Sequence, residues 1–182
     1  MSLPPKLSVG DFPGADYVEK WNVFLEAIYQ VFLRNVVRGG LQFQGLPVSC
    51  RYNPPYDGKH YSFWHLMSEG GDEEKRTPDL ERCARIPWIA WVIQNADNPK
   101  VVRWWENERS TAHGLKTRVP LWFVEQNYAV ILEKRENYYL LITTYCLDGH
   151  RIRKFEKEWT AWKAKKTETA GEAASDTPST HG

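Results

Sequence analysis

The chain reads as an α+β protein, with a four-stranded antiparallel meander, helices packed mainly on one face, and an N-terminal helix and short hairpin ahead of them. Three observations predict it. Apolar residues recur at helical spacing through much of the first hundred positions. Four β-like runs then follow one another with no helical segment between them, and a last amphipathic stretch closes the pattern.

"DYVEKWNVFLEAIYQVFLRNVV" places Val18, Trp21, Leu25, Ile28 and Phe32 on one helical stripe, and "RGG" from Arg38 to Gly40 stops it. "LQFQ" and "PVSCRY", on either side of Gly45-Leu46, read as a short hairpin, and "NPPYDG" as a loop. "HYSFWHLMSE" makes about two helical turns, closed at Gly70-Gly71. Thr77 followed by Pro78 is expected to start the next helix, which Pro87 divides into "DLERCAR" and "PWIAWVIQNA". The β-like runs are "VVRWWENER", "RVPLWFVE", "YAVILEKR" and "YYLLITTYC". Glu136-Asn137 joins the last two as a two-residue turn, which pairs Ile131 with Ile142 and Val130 with Thr143. The closing helix carries Ile152, Phe155, Trp159 and Trp162 on one stripe. No internal repeat is visible. A single domain is expected over residues 16–166, with a flexible start (1–15) and a disordered polar tail (167–182).

Lys and Arg exceed Asp and Glu by one, a balance that does not announce nucleic-acid binding through bulk charge. The last sixteen residues hold three acids and no Lys or Arg, so the remainder is mildly basic, enough for a local anion site. Three widely separated cysteines offer no CxxC pair, so neither a disulfide framework nor a thiolate zinc site is expected. The N-terminus lacks a basic region followed by an apolar run, and the longest apolar stretch, "IPWIAWVI", is far short of a membrane span. A cytoplasmic protein with no membrane partner is the expectation.

His60 and His65 stand five residues apart among aromatics. Five steps of about 100° separate their side chains by roughly 140° on a helix, so the pair is not expected to share a metal. His65 instead shares a face with Tyr61 and Ser68, beside Trp64 and Phe63, as suits a general acid or base near neutral pH. The plainer alternative is a partly buried histidine satisfying a backbone carbonyl. Asp72, Glu73, Glu74, Lys75 and Arg76 read as a solvated loop, since their spacing does not converge on a cation.

"LDGHRIRKFEKEW" is more informative. Asp148-Gly149 turns into the last helix, whose first turns carry His150, Arg151, Arg153 and Lys154. Basic residues there oppose the macrodipole, which points to an anion held by side chains and free N–H groups. The alternative is a solvated basic face. In the expected register Thr143 and Tyr145 share a face with Val130 and Tyr128, while Thr144 points to the other. Trp88, Trp91, Trp104 and Trp105 admit base stacking but are read as core.

The succession "FWHL", "SEGGDEEKRTPD", "RIPWIAWVIQNA" and "YYLLITTYCLDGHRIRKFEKEW", spanning about Arg51 to Trp159, resembles the phage-associated branch of the barnase/EndoU/colicin/RelE-type nuclease superfamily. The resemblance implies a small helix on a four-stranded antiparallel sheet and RNA cleavage without metal or other cofactor. It implies His65 as acid or base, Thr144 and Tyr145 as strand hydroxyls, and Arg151, Arg153 and Lys154 as the phosphate clamp. His60 and His150 are counted beside these as candidate substrate-binding residues. A toxin-like ribonuclease, whose partners are RNA and an inhibitor or other protein, is the first expectation. The alternative is a non-catalytic RNA- or protein-binding module of the same fold.

Overall fold

The computed structural model describes residues 2–70, 76–111 and 114–175, with side chains described as far as 168. Helix α1 spans Tyr17–Phe32 and is capped by Asp16, whose carboxylate accepts from the Glu19 N–H. It buries Phe24, Ile28 and Phe32, then runs into a π-turn at Leu33–Val37 and ends before Gly40, which sits at φ +59°. Strands β1 (Gln42–Phe43) and β2 (Leu46–Ser49) form a hairpin, but its turn falls on Gln44 and Gly45, both at positive φ, one residue before the expected Gly45-Leu46.

Helix α2 spans Tyr61–Met67 and buries Phe63, Leu66 and Met67. The chain does not then enter a helix at Pro78. Ser68–Glu69 (β3) pairs with Thr77–Pro78 (β4) in a two-stranded ladder, and Asp79 is the cap of α3, Leu80–Ala84, accepting from Glu81 and Arg82 N–H. The cap moves because an Asp carboxylate reaches two free N–H groups, whereas Thr77 is committed to the ladder. Pro87 separates α3 from α4, Trp88–Gln94, as expected. Gly71 and the run Asp72 to Lys75, expected as a loop, lie outside the described residues.

The remaining strands are β5 (Val102–Trp104), β6 (Asn107–Thr111), β7 (Gly114–Phe123), β8 (Tyr128–Lys134) and β9 (Tyr139–Cys146). The main sheet therefore has seven strands rather than four, in the order β1-β2-β9-β8-β7-β5, with β6 also paired to β7. Two causes enlarge it. The run "VVRWWENER" breaks into two strands that pair with different halves of β7, and the β1-β2 hairpin joins the sheet through β2. That β2-β9 pairing is parallel, so the sheet is mixed.

Helices α1 to α4 cover one face, with Phe24, Ile28, Phe63, Leu66, Ile89 and Val92 packed on Val119, Leu121, Val130 and Leu132. Helix α5, Gly149–Ser175, covers part of the other, where Phe155 meets Trp105, Trp122 and Ile131, and Ile152, Trp159 and Trp162 extend the contact. Six of the seven β8 residues are buried because both faces are covered. Arg103 clamps Glu156 through two bonds of 2.9 and 2.8 Å, and its guanidinium lies 4.3 Å from the Trp159 ring, which fixes α5 in place.

The N-terminal segment, expected to be flexible, is tied to this frame. The Pro4 carbonyl accepts from Trp88 Nε1 (2.8 Å), the Leu7 N–H donates to the Ala84 carbonyl (3.1 Å), and Val9 is buried. The helix α5 runs past Lys166 to Ser175, into the stretch expected as a tail; residues 176–182 lie outside the described ones.

Candidate functional site

The register of β8 and β9 positions the site. The turn at Glu136-Asn137 is as expected, closed by the Arg135 N–H on the Tyr138 carbonyl at 2.9 Å, and Leu132 lies opposite Leu141. Between Ile131 and Leu132 the register slips, so Ile131 lies opposite Thr143 and Val130 opposite Thr144. One extra β9 residue, Ile142, is accommodated there, a β-bulge that a count from the turn does not foresee. Its effect is to exchange faces. Thr144 now points into the helix-covered core with Val130, while Thr143 and Tyr145 face the α5 side with Ile131 and Ala129.

On that side lies a cleft of about 860 Å³ between the end of α2, the β6-β7 ribbon, β9 and the start of α5. Five arginines line it, Arg76, Arg82, Arg109, Arg118 and Arg151, against two carboxylates, Glu69 and Glu158. His65, Thr143 and Tyr145 also line it. This is a local excess of positive charge on a chain whose overall charge is close to zero.

Each guanidinium is held differently. Arg76 folds back on the end of α2 and donates to the carbonyls of Ser68 (2.7 Å), Gly70 (2.9 Å) and His65 (3.3 Å). Arg82 donates to the Ser68 carbonyl (2.9 Å) and pairs with Asp79 (3.2 Å). Both therefore satisfy carbonyls left open where α2 ends, a placement the helix dipole favours. Arg118 pairs with Glu133 at 3.0 Å, and Glu133 is buried beneath Lys116, Arg118 and Arg135. Burial presses the Arg118 pKa downward against the pull of that carboxylate, and the guanidinium stays charged near neutral pH. Arg151 stacks on the Tyr145 ring at 4.6 Å and Arg82 approaches the same ring at 5.6 Å, so Tyr145 sits between two cations.

The carboxylates are less available. Glu158 accepts from Trp105 Nε1 (3.2 Å) and Asn107 Nδ2 (3.1 Å), which makes it part of the α5 anchorage. Glu69 lies 4.0 Å from Arg82. Among the described residues no group of three or more His, Cys, Asp or Glu is placed to hold a metal ion, and no helix is long and apolar enough to cross a membrane.

Of the residues singled out in the sequence, His65, Tyr145 and Arg151 come together in the cleft. Thr144 does not. It is 1% exposed and its Oγ1 donates to the Leu66 carbonyl at 3.2 Å, closing the end of α2. His60 precedes α2, its Nδ1 2.9 Å from the Tyr29 hydroxyl, packed among Tyr29, Phe32 and Tyr52; burial pushes its pKa down. His150, Arg153 and Lys154 are exposed and lie outside the cleft lining, with Lys154 3.9 Å from Glu158. The helix start itself is not an open anion site, because Asp148 accepts the Arg151 N–H at 2.8 Å, a bond that also lowers the Asp148 pKa. Position along α5 decides among its basic residues: one step on a helix is about 100°, so Arg151 and Arg153 cannot face the same wall.

Arg82, Arg109 and Arg118 were not legible as site residues. Arg118 left one trace, since it and Lys116 alternate with Pro120 and Trp122 on one strand face. No protein-family model, curated protein or solved structure matches this chain.

Proposed function

We propose that the chain is an endoribonuclease that works without a metal ion, with the arginine cleft as its active site. The observation that carries this is the convergence of His65 and Tyr145 on one cleft ringed by five guanidinium groups. Guanidinium groups match phosphate oxygens in charge and geometry and supply the cationic charge that the reaction requires.

In the proposed reaction the ribose 2′-oxygen attacks the adjacent phosphorus as a base removes its proton. The bond from phosphorus to the 5′-oxygen breaks, and an acid protonates that leaving oxygen. The products are a 2′,3′-cyclic phosphate and a free 5′-hydroxyl. His65, which lines the cleft and is oriented by its stack on Tyr61, is assigned as the acid or base, a role an imidazole can fill. Tyr145, whose ring is covered by Arg151 and approached by Arg82, is assigned to the other side of the phosphate. Arg118, Arg109 and Arg151 bind the phosphate as its charge grows, while Arg76 and Arg82 shape the wall.

The test is incubation of labelled structured and unstructured RNA with purified protein in the presence of EDTA. His65→Ala is expected to slow cleavage by roughly 10²- to 10⁴-fold, and Arg151→Ala to weaken it strongly. Arg153→Ala, altered outside the cleft, should cleave like the wild type. Equal cleavage by wild type and His65→Ala would overturn the assignment. RNA binding that weakens with salt, without cleavage, would mark the chain as a binding module instead.

A further inference from the structure

A second cavity, of about 570 Å³, adjoins the arginine cleft and shares His65 and Arg76 with it. Its walls differ in kind. Tyr56, Tyr61 and Trp64 line it together with Pro54, Pro55 and Pro78. We propose that this cavity is a nucleobase-stacking subsite, which takes a base of the RNA strand whose phosphate lies among the arginines. The inference rests on the ribonuclease reading for its substrate class.

Three observations carry it. The first is continuity. A nucleic-acid strand alternates an anionic phosphate with a flat aromatic base, and here a guanidinium-lined cavity passes into an aromatic one across two shared residues.

The second is preorganisation. Tyr56 is 68% exposed, yet its position is fixed. Asp57 and Gly58 both adopt positive φ in a tight turn closed by Tyr56 and Lys59, which exchange bonds of 3.1 and 2.9 Å. Trp64 Nε1 donates to the Tyr56 carbonyl at 2.7 Å and the two rings meet edge to face at 5.1 Å. Tyr61 stacks on His65 at 5.7 Å and an interplanar angle of 19°, which orients the imidazole at the boundary between the two cavities.

The third is the state of the polar groups. Ser68 Oγ donates to the Trp64 carbonyl and accepts from Arg76 Nε, and the Arg76 Nη groups are bonded to three carbonyls. The Trp64 indole N–H is also committed. These groups are engaged in holding the wall, so the base is gripped by its face rather than read along its edge. Stacking of this kind tolerates sequence and favours the larger purine surface over a pyrimidine.

The experiment measures binding of AMP, UMP and ribose 5-phosphate to the full chain by titration calorimetry, for wild type and Tyr56→Ala, each checked for its folded circular dichroism spectrum. Wild type is expected to bind AMP roughly tenfold or more tightly than ribose 5-phosphate, with UMP between them. In Tyr56→Ala the gap between AMP and ribose 5-phosphate should shrink to less than about threefold while ribose 5-phosphate binding stays unchanged. Equal binding of AMP and ribose 5-phosphate, no AMP binding at millimolar concentration, or an unchanged gap in Tyr56→Ala would each overturn the subsite. Cleavage without base-dependent binding removes the subsite alone. Base-dependent binding without cleavage removes the nuclease reading and leaves the subsite standing.

Discussion

Glu133→Gln is expected to cost stability out of proportion to so small a change. The Glu133 carboxylate is 2% exposed and faces three cations, Arg118 at 3.0 Å, Lys116 at 3.8 Å and Arg135. At an effective dielectric near 20, a pair at such distances attracts by about 5 kcal/mol before the carboxylate's dehydration is subtracted. Removing one member of a buried pair usually costs about 3–5 kcal/mol. Here the cations keep between 23% and 33% of their side-chain surface in water and rehydrate partly when released. The loss should therefore fall near 2–3 kcal/mol, roughly 5–10 °C in melting temperature for a chain of this size. Urea denaturation of wild type and Glu133→Gln at neutral pH measures it. Because the carboxylate is buried, the loss should persist in 1 M salt. The double variant Glu133→Gln/Arg118→Gln should recover part of it, since one fewer cation is then left facing the neutral amide. A single variant within about 0.5 kcal/mol of wild type would refute the reasoning, as would a double variant less stable than the single.

Two further outcomes follow from the placement of residues that the sequence marked for the site. Thr144→Val keeps the shape and removes the donor to the Leu66 carbonyl, so a loss of about 1–2 kcal/mol in urea is expected, with cleavage per folded molecule unchanged. Lost cleavage at unchanged stability would return Thr144 to the reacting groups. His60 has a pKa lowered by burial, so the unfolded chain binds its proton first as pH falls. Its contribution is present above the ordinary histidine value of 6.5 and is lost as pH drops from there toward the folded value. His60→Gln should accordingly flatten the fall in stability between pH 7.5 and 5.5, and an unaltered slope would show that His60 does not set it.

Where a structural feature depends on neighbouring residues, it was legible. The α1 stripe, the hairpin around Gly45 (its turn one residue earlier than expected), the Glu136-Asn137 turn, the break at Pro87 and the aromatic face of α5 all follow from short-range periodicity or turn chemistry. Features that depend on distant partners were not. Nothing local to Leu46–Ser49 says that it pairs in parallel with β9, almost a hundred positions away. Similarly, Arg76 reads as part of a solvated charged loop and Arg82 only as a position in the next helix, and both become wall residues only because α2 ends with open carbonyls beside them.

The bulge in β9 shows how far one such feature reaches. Without Ile142 as an extra residue, the turn at Glu136-Asn137 would set Thr143 opposite Val130 and Tyr145 opposite Tyr128, both on the face that α2 and α4 cover. Tyr145 would then compete for space in a packed core, and Thr144 would lose the Leu66 carbonyl. The slip of one residue turns Tyr145 toward Arg151 and gives Thr144 its partner, so a single irregularity serves both the cleft and the core. The first two residues of β9, Tyr139 and Leu140, pair with β2, whereas past Leu140 that edge is free of β2, and His65 of α2 lines the cleft with the later β9 residues Ile142, Thr143 and Tyr145. The cleft therefore forms where the sheet edge is left open, and the bulge supplies the side chains that face it.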